Sequence, residues 1–312
     1  MATFSELFKN SIKSGDTEEN IDIYFTRPLG LILTLFYKAL NIHPNVVTII
    51  GIFIGIASGY FFYQSDLQSN IIGAVLLTVA NLHDSADGQL ACLTGKKTLI
   101  GRMLDGFSSD AIFFFIYWAI FLRLFNMEIP LIEGYHWKWW AFFLCLFAGV
   151  FGHARQCNVS DYYRQIHLFF LKGRDGSELD TSEAQQLIVE DAVKNKRWLD
   201  WAFYFNYRNY CRGQEKVTPE FQRFYKAYLA ADPKPEELRE EFLAGSRPLM
   251  KWTNFLTYNW RAIFLFVSCI FDIPWLYPLA ELTLFNVVRS YMRYKHEALC
   301  KRMTLALTSC GR

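Results

Sequence analysis

Four aspartates, Asp84, Asp87, Asp105 and Asp110, fall on or beside stretches that otherwise read as membrane-spanning apolar segments. An ionised side chain at membrane depth costs about 3 kcal/mol even on a mild insertion scale, so each acid calls for a partner. Little positive charge lies nearby, which points to divalent cations. Asp84 and Asp87 are three residues apart and share one face of a helix. Asp105 follows Gly101 by four, stacking a glycine and a carboxylate on one face of the next helix. A glycine at Gly88 or Gly101 removes bulk and lets a ligand or a second backbone approach the acids. Two such helix ends facing each other would form an oxygen-rich clamp for Mg²⁺, Mn²⁺ or Ca²⁺. The plainer alternative, helix caps and interface residues, leaves the recurrence of acids beside glycines on two successive helices unexplained.

The elements that must position these residues follow from apolar runs. In 312 residues the apolar fraction is 52% and aromatics reach 18%, with 29 Phe gathered into long runs, and runs of about 18 apolar residues read as membrane helices. Residues 21–43, interrupted by Arg27, Pro28 and Lys38, read as an interfacial helix. Pro44 then opens a first span near 45–63, with proline at the favoured first turn. Further spans fall near 70–92, 99–125, 137–160, 254–272 and 275–298, six in all. The aromatic cluster Tyr135, Trp137, Trp139 and Trp140 suits a membrane interface.

The expected architecture is therefore an all-α integral membrane protein. It comprises a polar N-terminal tail (1–20), the interfacial helix with spans one to four (21–168), a cytoplasmic helical insertion (169–252), and spans five and six with a C-terminal tail (253–312). Within the insertion, Ser182 followed by Gln185 resembles a capping box. Lys and Arg concentrate in the 93–98 loop, the insertion and the tail, which puts both termini and the carboxylate ends in the cytoplasm. The N-terminus shows no cleavable signal pattern. The seven cysteines lack any Cys-x-x-Cys pair and read as reduced apolar side chains. A net charge of +2 without a basic, aromatic-interleaved block argues against nucleic acid as a partner.

The run DSADGQLACLTGKKTLIGRMLD resembles the signature of the CDP-alcohol phosphotransferases: Asp-x-x-Asp-Gly-x-x-Ala-Arg, eight residues, then Gly-x-x-x-Asp-x-x-x-Asp. Asp84, Asp87, Gly88, Ala91, Gly101 and Asp105 fall in register. HPNVVT (His43 to Thr48) is similar to the segment that opens that family's first membrane helix, and GHARQ (152–156) to one in its fourth. The resemblance covers about residues 25–165 and implies six membrane helices. It further implies transfer of a phosphatidyl or similar group from a CDP-linked lipid, such as CDP-diacylglycerol, to an alcohol with release of CMP. Under it, Asp84, Asp87, Asp105 and Asp110 hold two divalent ions, Mg²⁺ or Mn²⁺. Asn45, Thr48, Asp84, Gly88, Ala91, Gly101 and Arg102 face the nucleotide, and the last family carboxylate acts as general base. Homodimerisation is expected by the same analogy.

Two positions depart from the pattern. The arginine after Ala91 is Cys92, which removes a bidentate phosphate donor and leaves Arg102, Lys96 or Lys97 to supply the charge. The last carboxylate belongs at position 109, where the chain has Ser109, and Asp110 follows one residue later. A π-bulge between Asp105 and Asp110 would bring Asp110 into register as the base, alongside Asp105 in the catalytic pair; otherwise Ser109 or a metal-bound alkoxide must serve. His83 reads as structural. His153 and Arg155 end an apolar run as a polar pair suited to an acceptor head group, with Arg164 a weaker candidate. They favour an inositol or inositol phosphate acceptor. Glycerol 3-phosphate, a lipid hydroxyl, or a non-catalytic membrane scaffold are the alternatives. The expected location is a bacterial inner membrane, with the active site at the cytoplasmic face.

Overall fold

A computed structural model describes residues 4–11, 14–130, 132–231 and 236–310. Among the described residues every regular element is helical, with a single isolated bridge between Glu128 and His136. In chain order the helices are α1 (Phe4–Ser11), α2 (Arg27–Ala39), α3 (Pro44–Tyr63), α4 (Leu67–Thr94), α5 (Leu99–Leu124), α6 (Lys138–Phe147) and α7 (Ala154–Lys172). They continue with α8 (Ser182–Lys194), α9 (Trp198–Val217), α10 (Pro219–Ala230), α11 (Glu236–Ser246), α12 (Met250–Phe255), α13 (Tyr258–Ile270), α14 (Leu276–Leu282) and α15 (Leu284–Cys310). The chain forms two compact units, residues 1–155 with 257–286, and residues 156–256 with 287–312.

The first unit is built around α3. Pro44 occupies its first turn, and the His43 ring accepts the Asn45 backbone N–H at 3.2 Å. Gly51, Gly55 and Gly59 recur every four residues and so line one face. A Cβ there would lie 2.9 Å from the His83 Cβ, 2.5 Å from the Ile112 side chain and 3.3 Å from the Phe115 carbonyl, respectively. The glycine stripe thus lets α4 and α5 close on α3 at backbone distance, as small residues do between membrane helices. Around it Phe62, Leu77, Ile116, Ile120, Leu124, Cys145, Leu265 and Tyr277 form a buried apolar cluster. Arg123 ties the far end, donating to the Phe62 carbonyl at 3.0 Å, Asn70 Oδ1 at 2.9 Å and Asp272 Oδ1 at 2.7 Å. The residues 21–43 expected as one interfacial helix are a π-turn over Asp22–Thr26 followed by α2. Thr34 of α2 bonds the Ala86 carbonyl of α4 at 3.0 Å. The N-terminal tail is likewise anchored, because Glu19 accepts from Asn259 at 3.1 Å and pairs with Thr257.

The outer surface of this unit is apolar. Phe53, Tyr60, Val75, Phe107, Phe114, Trp139, Trp140 and Val150 are all exposed, far beyond what a monomer in water presents. Two described helices, Pro44–Tyr63 and the Ile100–Leu124 stretch of α5, are both long and apolar enough to cross a membrane. The other expected spans are interrupted or charged. The fourth is divided by a π-helix over Ala148–His153 between α6 and α7. The sixth breaks at Thr283, and α15 carries Arg289, Arg293, Lys295, Glu297 and Lys301.

The second unit is larger than the insertion read from charge, since it begins at Gln156 and takes in Val287–Arg312. Its core is aromatic: Tyr163, Phe170, Phe221, Phe224 and Phe242 are fully or almost fully buried, and Phe170 packs on Phe242 at 4.2 Å between ring centres. Helix α8 starts one residue earlier than the capping box suggested. Thr181 accepts the Ala184 N–H, and Ser182 instead donates to the Glu215 carboxylate.

Candidate active site

Helices α3, α4 and α5 carry every residue of the aspartate motif. Thr98 caps α5 by accepting the Gly101 N–H at 2.9 Å, which fixes where the helix begins. Over Gly101 sits Asn45, whose Oδ1 would lie 2.9 Å from a Cβ added there. Glycine at this position therefore admits the Asn45 side chain, where a ligand or a second backbone was expected. Gly88 has nothing within 4 Å of its Cβ direction and stays open to a ligand. Ala91 is half-buried on the same helix, and Arg102 is exposed on α5.

Asp87 is 5% exposed, with Thr48 beside its carboxylate and Asp84 and Asp105 near enough to repel it. Its Oδ2 is buried without a hydrogen-bond partner. An oxygen stripped of water and set between two like charges is the arrangement a divalent cation relieves. Asp84, Asp87 and Asp105 thus fit a metal, with Asp87 the buried member.

Beside Asp84 lies a small cleft of about 30 Å³, lined by Asn81, Ser108, Ser109, Ile112, Phe113 and Tyr258 among others. Ser108 Oγ stands 3.2 Å from Asp84 Oδ1 and 2.8 Å from the Asp105 carbonyl, joining α5 to α4 at the acids. Tyr258 is fixed by donating to the Leu77 carbonyl at 2.7 Å. Sequence reasoning missed Asn81 and Ser108, although each stands three residues from a motif aspartate and so shares its face.

Three expectations change. Helix α5 is α-helical without interruption from Leu99 to Leu124, so the wide turn proposed to realign Asp110 is not formed. On a regular helix position 109 lies about 40° from Asp105 and position 110 about 140°. Asp110 is therefore turned well away from Asp105 around the helix, and Ser109 lines the cleft beside Asp84. His153 and Arg155 have different surroundings. His153 is 5% exposed, held between Phe113 at 4.5 Å and Tyr117 at 6.1 Å, with its Nδ1 unpartnered, while Arg155 is exposed and stacks on Phe151 at 4.7 Å. His83 is structural, as its sequence setting suggested. Its Nε2 meets the Tyr37 hydroxyl at 2.9 Å and its Nδ1 the Val79 carbonyl at 2.8 Å. Cys92 is exposed on α4 at the position of the missing arginine.

Comparison with known proteins places this segment. Residues 41–168 match the model of the CDP-alcohol phosphatidyltransferase family. Archaetidylinositol phosphate synthase of Pyrococcus horikoshii is 42% identical over 67 residues, 22% of this chain and 34% of that protein. An uncharacterized protein of Aquifex aeolicus is 36% identical over 73 residues, 23% of this chain and 36% of that protein. The chain thus spans about a third of the length of the curated relatives it matches. No solved structure matches.

Proposed function

We propose that the protein transfers a phosphatidyl-type group from a CDP-linked lipid, CDP-diacylglycerol or a close analogue, to an alcohol, releasing CMP. The observation that carries this is the buried, unpartnered Asp87 Oδ2 beside Asp84, Asp105 and the open face of Gly88, on helices within the matched segment. In the reaction the acceptor oxygen forms a bond to the lipid phosphorus, the bond from that phosphorus to CMP breaks, and the acceptor proton passes to a carboxylate. Two divalent ions, Mg²⁺ or Mn²⁺, would neutralise the pyrophosphate and the charge that develops during attack. Asp84, Asp87 and Asp105 would hold them, and Asn45, Thr48 and Gly88 would border the nucleotide. Asp105 is assigned the proton, because Asp110 lies off this face. Ser108 orients Asp84, and Ser109 borders the small cleft beside it.

An inositol phosphate acceptor is favoured by the product named for the Pyrococcus relative. The apolar exterior of the first unit supports insertion in a membrane, with α4 and α5 bringing their acids to the cytoplasmic face, and association as a homodimer. The test is CMP release by the full chain in detergent, given CDP-diacylglycerol, Mg²⁺ or Mn²⁺, and inositol phosphate, inositol or glycerol 3-phosphate in turn. Turnover with one acceptor identifies it. Absence of turnover with all of them, together with absent CDP binding, assigns the chain to the scaffold alternative, which the substitutions at Cys92 and Ser109 would then explain.

A further inference from the structure

The second unit contains a side-chain cluster that phosphatidyl transfer does not use. His296, Glu297 and Cys300 of α15 bring one ligand atom each to within 4.8 Å of one another, and among the described residues they are the group of this kind. Their spacing explains the convergence, since residues four apart stack on one face of a helix and Glu297 reaches in from the adjoining position. His296 Nδ1 and Cys300 Sγ are 3.6 Å apart. Nitrogen and sulfur ligands at roughly 2.0–2.3 Å on a tetrahedral ion stand roughly 3.3–3.8 Å from each other, so this pair already has the required separation.

The surroundings act on all three groups. Glu297 is held by one oxygen, which accepts the Glu220 backbone N–H at 2.8 Å, while its other oxygen, Oε1, is buried with no partner. The His296 ring is 1% exposed and stacks on Tyr163 at 4.0 Å, with Phe221 and Phe242 about its edges. Cys300 is fully buried. A thiol to imidazole hydrogen bond would account for the first contact but leaves the Glu297 oxygen unexplained. A cation satisfies all three ligands at once, beside aromatic rings that fix the imidazole.

We propose that His296, Glu297 and Cys300 form a metal site on one turn of α15 for a borderline-soft divalent ion, Zn²⁺ by chemistry. A thiolate, an imidazole and a carboxylate together suit Zn²⁺ and not Mg²⁺ or Ca²⁺, which take oxygen ligands. The fourth position is left to water.

The test uses Co²⁺ as a spectroscopic probe on the full-length chain carrying Asp84→Asn and Asp87→Asn, so that the aspartate motif contributes no metal. One equivalent of Co²⁺ should bind with a thiolate-to-cobalt charge-transfer band, and Zn²⁺ should displace it. Cys300→Ser should abolish the band, Cys211→Ser should keep it, and Glu297→Gln should weaken Co²⁺ binding by about tenfold or more. Helical circular dichroism is recorded for each variant, and if Cys300→Ser loses its helix content, the half-buried Glu297→Gln decides. Absence of a thiolate band, a band that survives Cys300→Ser in folded protein, or unchanged affinity in Glu297→Gln overturns the proposal.

Discussion

Replacing Asp105 and Asp110 separately by asparagine should give opposite results, although the two residues lie five positions apart on one helix. Position 109 is about 6 Å along the axis from Asp105 and position 110 about 7.5 Å. With carboxylates carried roughly 5 Å from the axis, a group at 109 would stand roughly 7 Å from that of Asp105 and the group of Asp110 roughly 12 Å. Sharing a metal pair or a proton across 12 Å is not possible when proton transfer needs contact at about 3 Å. The uninterrupted α-helix over Leu99–Leu124 fixes this geometry. Asp105→Asn keeps size and hydrogen bonding but removes charge and basicity, so turnover should fall by about 10²–10⁴, equivalent to about 3–5 kcal/mol. Asp110→Asn should change it by less than about threefold. The assay is steady-state CMP release at saturating Mg²⁺, donor and acceptor, with thermal unfolding recorded for each variant. A loss for folded Asp110→Asn as large as for Asp105→Asn would refute the assignment and require a distorted helix in the working enzyme.

Further outcomes follow from particular residues. Gly88→Ala meets no atom within 4 Å, so it should raise stability by about 0.5–1 kcal/mol while lowering CDP affinity by about tenfold, read by thermal shift and CDP titration. Glu281→Gln removes the counter-charge of the fully buried Arg261, 2.8 Å away, and should cost about 3–5 kcal/mol in denaturant unfolding, with Arg261→Met/Glu281→Leu milder. Thr98→Ala loses the cap on Gly101 and should cost about 1 kcal/mol of stability and reduce turnover, by the same two assays. A maleimide should label exposed Cys92 in the folded protein, more slowly when CDP is bound, and should leave Cys211 untouched. Burial pushes the Cys211 thiol up to about 12. The folded state then keeps a proton that the unfolded chain releases above about pH 8.5, so stability falls as pH climbs through that value.

The motif helices were legible because their signals are local. Pro44 acts within a turn of its own position and the apolar runs mark out the helices, so that α3, α4 and α5 fall within a few residues of the expected spans. The rest depends on contacts that no single stretch reveals. The His153 side chain looked like a polar terminus in sequence, yet Phe113 and Tyr117, some forty residues earlier, enclose it. The break at Thr283 and the packing of α15 with the insertion helices separate a run that composition read as one span. Asp110 was the reverse case, where a motif's spacing invited a backbone distortion that the local sequence does not impose. The Ser108 contact with Asp84 crosses two helices, and only the tertiary approach along the α3 glycines makes it possible.

The most direct test of the central reading is whether CMP appears in step with phosphatidyl transfer and only with an intact metal face. Purified full-length protein, stripped with a chelator, is given CDP-diacylglycerol with a radiolabelled lipid phosphate and inositol phosphate, with and without Mg²⁺ or Mn²⁺. Label entering a new phospholipid in equal amount to CMP released, lost on chelation, restored by either metal, and abolished in Asp87→Asn is the predicted result. Metal-independent transfer, or transfer undiminished in folded Asp87→Asn, would contradict it.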